Sequence, residues 1–136
     1  YWAKLSGPLM DRIDLQVAVN RLKPAEMTAQ SQGESSESVR ERVKQARQLA
    51  IARFAKDAKI SCNAEMQAGQ LRQHCQLDDQ CRQLLEGAIK KLGLSARAMD
   101  RILKVSRTIA DLAQAETIQA AHLAEAIQYR TLDRFS

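Results

Sequence analysis

Apolar residues recur at three- and four-residue steps along most of this chain, and at two-residue steps only once. The exception is Ile13-Asp14-Leu15-Gln16-Val17-Ala18-Val19, which predicts a short strand. A lone strand is not stable by itself, so this one is expected to join a sheet lying mostly outside the chain. Residues 23–33 are polar and weakly patterned, and read as a linker or mobile loop. Val39, Val43, Ala46, Ala50 and Phe54 then mark an amphipathic helix to about Lys56, with Ser35 or Ser36 as N-cap and acids in the first turn. Asn63 is the N-cap candidate of a short helix carrying Met66 and Leu71. Asp78 or Asp79 caps a helix with Leu84, Leu85, Ala88, Ile89 and Leu92 on its apolar face, and Gly93 supplies the left-handed residue at its end. Ser95 caps a long helix presenting Met99, Ile102, Leu103, Ser106, Ile109 and Leu112, and Thr117 caps a last one with His122, Leu123, Ala126 and Ile127. Five helices with short connections predict a small bundle, so the fold class is mainly α with one short strand ahead of it.

Composition agrees. The 136 residues are 45% hydrophobic and 27% charged, enough for one domain with its own core, or for one small domain plus a piece of another. Aromatics are only 4%, with 5 Gly and 2 Pro, which argues against a β-sandwich or barrel. No apolar run approaches the ~18 residues of a membrane span. The start, Tyr1-Trp2-Ala3-Lys4, lacks the form of a signal peptide and reads as the middle of a fold, so the chain is expected to be a piece of a longer protein. Cys62, Cys75 and Cys81 are odd in number and irregularly spaced, which suits free thiols and a cytoplasmic location.

The net charge of +5 is locally concentrated. Arg40, Arg42, Lys44, Arg47, Arg53, Lys56 and Lys59 face only Glu41 and Asp57 in their stretch, and Lys90, Lys91, Arg97, Arg101, Lys104 and Arg107 face only Asp100. Such patches attract nucleic acid, nucleotide or an acidic partner, although a solvated helix face gives the same pattern.

Several chemistries find no support. His74, Cys62, Cys75 and Cys81 lack the paired spacing of a zinc site, so no metal site is expected. His74 and His122 stand in no recognisable nucleophile–base arrangement, and His122 reads as a packing or capping residue. No glycine-rich phosphate loop is present.

Two segments carry the functional argument. In Ser6-Gly-Pro-Leu-Met-Asp-Arg-Ile-Asp-Leu15 a Gly-Pro opens a helical turn, and Asp11-Arg12 falls just before the strand. An Arg fixed by backbone on both sides can be aimed, as reaching a phosphate on a neighbouring subunit requires. A structural Asp–Arg pair at the strand entry is the plain alternative. In the second segment, Leu94-Ser-Ala-Arg97 onward, Arg97 lies in the first turn of a helix, where a cation opposes the dipole by roughly a few tenths of a kcal/mol. A bound anion would reverse that balance. Arg101 and Lys104 continue the basic face.

These segments, with Gly33-Glu-Ser-Ser36, Val39-Arg40, Arg42-Val43, Arg107-Thr-Ile-Ala-Asp-Leu112 and His122-Leu-Ala-Glu-Ala-Ile-Gln-Tyr-Arg130 in that order, resemble the ComM/YifB family, bacterial AAA+ ATPases related to the magnesium chelatase motor. Residues 58–77 match it only loosely, and Ser106 stands where Ala is usual. The resemblance implies that residues 1–21 end the α/β nucleotide-binding core, that 22–33 are a linker, and that 34–136 are the C-terminal helical lid. It implies an arginine finger acting in trans at Arg12 and a sensor-2 arginine at Arg97, with Asp11, Ser95 and Arg101 in support of ATP binding. It further implies ATP and Mg²⁺ as cofactors of the full-length protein, none bound by this part alone, a hexameric homo-oligomer, DNA as partner in helicase or branch-migration work during natural transformation, and no membrane. The isolated chain is expected to be monomeric and not catalytic. Ile13-Asp14 follows the arginine where the chelatase motor usually has an aromatic and Gly. That favours the competence branch over a motor acting on a protein–tetrapyrrole complex, which stays open beside a non-enzymatic basic module binding DNA or protein.

Overall fold

The computed structural model describes residue 4, residues 6–29 and residues 33–130. Among these lie seven α-helices: α1 Gly7–Arg12, α2 Pro24–Thr28, α3 Ser36–Arg53, α4 Ala68–His74, α5 Asp79–Leu92, α6 Ala96–Leu112 and α7 Ala120–Gln128, with a 3-10 turn at Asn63–Glu65. The mainly helical class is therefore as expected. Residues 30–32 of the expected linker and 131–136 of the expected lid lie outside the described residues.

The helix starts follow from capping chemistry. Ser35, Asp78 and Ser95 each accept the N–H of the third residue onward, at 3.1, 2.8 and 3.1 Å. Gly93 closes α5 in the left-handed region, φ 62°, where a side chain would be strained. Two expected caps are corrected. Thr117 does not start α7: buried Ile118 follows it, and Gln119 is the N-cap, its N–H bonded to Nδ1 of His122 at 3.0 Å. Asn63 heads a 3-10 turn rather than capping α4, because its amide is drawn inward to Asp111 and Thr108.

Helices α3 and α7 pack on α6, and α5 packs on α7. Ala50, Phe54, Ile60, Met66, Leu71, Cys75, Cys81, Leu85, Ile102, Ala110, Ile118, Leu123 and Ala126 form one core between them. Ser106 is buried beside that core without an orphaned hydroxyl, since it donates to the Ile102 carbonyl at 2.7 Å. Helix α3 is buried only through Ala46 and Ala50, so its first turns stand clear of the bundle and leave Val39 and Val43 exposed; it ends at Arg53, short of Lys56.

The predicted strand is also corrected. Residues 13–19 belong to no strand; among the described residues their one backbone-to-backbone bond to the bundle joins the Gln16 N–H to the Tyr129 carbonyl at 2.9 Å. Gln16 is buried, while Leu15, Val17 and Val19 are exposed, Val19 to 89%. An alternating segment without a partner strand cannot complete its ladder. Part of the expected loop after it is helical, because Pro24 sits at the first helical position and Glu26 accepts the Lys23 N–H at 2.8 Å.

Candidate functional site

Helix α1 is a six-residue turn capped by Ser6, whose Oγ accepts the Leu9 N–H at 3.2 Å. Met10 is its buried anchor. Arg12 is the last helical residue, and its side chain is exposed with no ion pair among the described residues.

The residues flanking Arg12 are held firmly. Arg130, just beyond α7 and only 6% exposed, donates to the Ile13 carbonyl and to the Asp11 carbonyl at 3.5 Å, and pairs with the Asp11 carboxylate at 3.7 Å. Asp14 pairs with Arg101 of α6. Asp11 thus engages Arg130 and makes no ion pair with Arg12, and the guanidinium of Arg101 is turned to Asp14.

Helix α6 is capped by Ser95 and starts at Ala96, and Arg97 is its second residue. Buried Ala98 and Ile102 fix the helix start against the core. Ser95 spends its hydroxyl on the cap. Arg97 is exposed and has no ion pair among the described residues. The first N–H groups of such a helix lack intrahelical acceptors and face outward with the positive end of the dipole. Arg97 and α6 together can therefore receive an anion.

The basic patches are smaller than the sequence suggests. Arg53 meets Asp111 with both prongs, at 2.8 and 2.6 Å, and also Asn63 at 2.8 Å. Arg107 is buried, 3.2 Å from Asp111, and donates to the carbonyls of Glu116 and Ala115 at 3.0 and 2.8 Å. Arg42 pairs with Glu34. The Arg53 and Arg107 guanidiniums serve the fold, and Arg42 is occupied by an exposed pair at the start of α3. What remains on α3 is Arg40, Lys44 and Arg47, four and three residues apart on one exposed face. Arg47 lies near enough to Glu65 to help hold its carboxyl down, a minor effect beside the hydrogen bonds from Cys62 and Ser61.

Sequence reasoning missed Arg130, Asp14, and the Arg53–Asp111–Arg107 cluster as positioned groups. The available signal for Asp111 was an acid inside the apolar periodicity of α6; nothing local marked Arg130.

Among the described residues no group of three His, Cys, Asp or Glu side chains could hold a metal ion, and no helix is long and apolar enough to cross a membrane.

A family model described as magnesium chelatase, subunit ChlI C-terminal, matches residues 33–130, and one described as magnesium chelatase, subunit ChlI, matches residues 1–27. The chain is 42% identical over 135 residues to competence protein ComM of Haemophilus influenzae, covering 98% of this chain and 26% of that protein. It is 41% identical over 135 residues to the uncharacterized protein YifB of Escherichia coli, with the same coverage, and 36% identical over 130 residues to the uncharacterized protein Rv2897c of Mycobacterium tuberculosis, covering 96% of this chain and 25% of the relative. The chain thus spans a quarter of the length of these relatives.

Proposed function

The chain belongs to the magnesium chelatase subunit ChlI family, in its ComM/YifB branch, and on that premise we propose that it is the C-terminal part of a ring-forming AAA+ ATPase that remodels DNA. In this reading residues 34–136 are the lid over the nucleotide, residues 1–21 end the nucleotide-binding core, and 22–33 link them. The assembly is a hexameric ring.

The observation that carries the reading is the state of Arg12. Its side chain is exposed without an ion pair among the described residues, while the backbone on both sides of it is tied to α7 through Arg130. An arginine finger needs that combination, since a loose backbone loses aim and a paired guanidinium loses charge.

ATP with Mg²⁺ supplies the phosphoanhydride bond to be cleaved. Arg12 reaches the nucleotide of the neighbouring subunit and sets positive charge against the oxygens of the transferring phosphoryl group. Arg97 and the first N–H groups of α6 hold the terminal phosphate of the subunit's own nucleotide, with Ser95 fixing the helix start, while Arg101 is committed to Asp14. The residues fit a phosphate: a cation with no ion pair among the described residues stands at the start of a 17-residue helix whose first turn is anchored by Ala98. The ligands of Mg²⁺ would come from the remainder of the full-length protein.

The exposed Arg40, Lys44 and Arg47 of α3 are the lid's candidate surface for the phosphodiester backbone. The name of the competence relative supports a setting in natural transformation.

The test is ATP hydrolysis by the full-length protein with and without forked or four-way DNA. Stimulation by DNA, together with loss of hydrolysis but retained ATP binding in Arg12→Ala, is expected. Hydrolysis indifferent to DNA would favour the second reading, a chelatase-type motor on a protein–tetrapyrrole complex, which the family model itself recommends. Wild-type hydrolysis in Arg12→Ala would remove the finger assignment.

A further inference from the structure

The geometry points to Arg130 as the positioning residue of Arg12, working with the Arg101–Asp14 pair, so that the lid closing on one nucleotide carries the finger that serves the next. The inference rests on the reading of Arg12 as a finger in trans.

The turn that bears Arg12 has little means of holding itself. Helix α1 buries only Met10, and the segment after it exposes Leu15 and Val17. What fixes the turn comes from α6 and from the residues that end α7. Arg130 bonds the Ile13 and Asp11 carbonyls and pairs with the Asp11 carboxylate. Arg101 pairs with Asp14, two residues past Arg12. The Tyr129 carbonyl accepts the Gln16 N–H at 2.9 Å. A buried guanidinium with a planar fork of donors fixes carbonyl positions more tightly than a flexible ammonium does.

The same α6 bears Arg97 one turn before Arg101, and Arg107 binds the α6–α7 connection through the Glu116 and Ala115 carbonyls. The two helices are thereby joined at the far end from Arg97. A shift of α6 when Arg97 meets a phosphate moves Asp14 through Arg101, and moves Asp11 and Ile13 through the end of α7. Arg12 lies between those anchors. Nucleotide occupancy at one site is thus converted into the placement of charge at the next.

Mixed rings of the full-length protein test this. One subunit type keeps Arg12 and still binds ATP but is disabled for hydrolysis in its own pocket; the other keeps a hydrolysis-competent pocket and carries Arg12→Ala. Active sites then form only where the first type donates its finger to the second. Arg130→Lys, which retains charge but loses the fork, is placed in one type or the other, with Asp14→Asn as a second variant at a half-buried pair. Placed in the finger donor, either variant is expected to lower kcat at least tenfold with KM for ATP unchanged within twofold. Arg130→Lys in the pocket subunit is expected to leave kcat within twofold. Equal loss in both arrangements would overturn the positioning role and leave a structural one, as would an unchanged kcat in the finger donor. Inactivity of the mixed ring before either variant is introduced would instead overturn the finger in trans, and the positioning role with it.

Discussion

Arg53 and Asp111, 58 residues apart in sequence, meet in a two-pronged ion pair at 2.8 and 2.6 Å that ties the end of α3 to the end of α6. Asp111 also accepts from Asn63 at 2.9 Å and lies 3.2 Å from Arg107, so one carboxylate serves three partners from three parts of the chain. Asp111→Ala leaves buried guanidinium charge uncompensated and is expected to destabilise the domain by roughly 3–5 kcal/mol in urea denaturation. The double variant Asp111→Leu with Arg53→Met is expected to lose less than Asp111→Ala alone, because it removes one of the two guanidinium charges that the lost carboxylate leaves behind, Arg107 keeping its carbonyl partners. Additive losses would show that the pair is not energetically coupled.

Ser95 and Arg97 are neighbours in sequence with separable work. Ser95 caps α6 by accepting the Ala98 N–H at 3.1 Å, so Ser95→Ala is expected to cost about 1 kcal/mol of stability. Arg97 is exposed with no ion pair among the described residues, so Arg97→Ala is expected to change stability by no more than about 0.5 kcal/mol. In the full-length protein the order reverses: Arg97→Ala weakens ATP binding or its turnover more than Ser95→Ala does. Thermal melts and nucleotide titrations of the two variants read both effects, and an equal response to the two substitutions would remove the anion role of Arg97.

Arg40, Lys44 and Arg47 share one face of α3. If that face tracks a phosphodiester backbone, each substitution by Ala lowers the slope of log affinity against log salt by about 1, with little change between DNA sequences. Arg53→Lys should leave the slope untouched, because that side chain is committed to Asp111. Titrations of full-length protein with DNA at several salt concentrations decide it; unchanged slopes in all three variants would place DNA elsewhere.

Cysteine reactivity follows burial. The Cys75 and Cys81 thiols are buried beside the carbonyls of Leu103 and Ile118 at 3.8 and 3.7 Å, and burial pushes both up to about 11. Cys62 is half-buried and donates to Glu65 at 3.2 Å. At pH 8 a maleimide is expected to label Cys62 first, and the other two only in denaturant or above about pH 10, where thiolate forms. Mass spectrometry of the labelled peptides checks the order; rapid labelling of Cys81 in the folded protein would contradict its place in the core.

The helical periodicities of α5 and α6 were legible in the sequence because each face repeats within four residues and each cap acts within three. Ser95, Asp78 and Gly93 stand where that local chemistry requires. The exposed Arg97 at a helix start was legible for the same reason. The strand at 13–19 was misread, because alternation states only which faces differ, and a ladder needs a neighbour. Asn63 and Thr117 were misread as caps because other residues hold those places: the Asn63 amide goes to an Asp 48 residues away, and Gln119 takes the start of α7.

The sequence by itself determined α3, α5 and α6 with their Ser35, Asp78, Ser95 and Gly93 caps, the helical class, and the positions of Arg12 and Arg97 within their elements. Those follow from interactions spanning a few residues, which any reader of the chain can enumerate. Only the tertiary structure decided which cations remain without an ion pair and which are spent. Arg53, Arg101, Arg107 and Arg130 look no different from Arg12 and Arg97 in composition or local spacing. Their partners are Asp111, Asp14 and backbone carbonyls brought near by the packing of α1, α3 and α7 on α6. A guanidinium that meets a carboxylate or carbonyl away from water becomes part of the fold; one that meets none keeps its charge for a ligand.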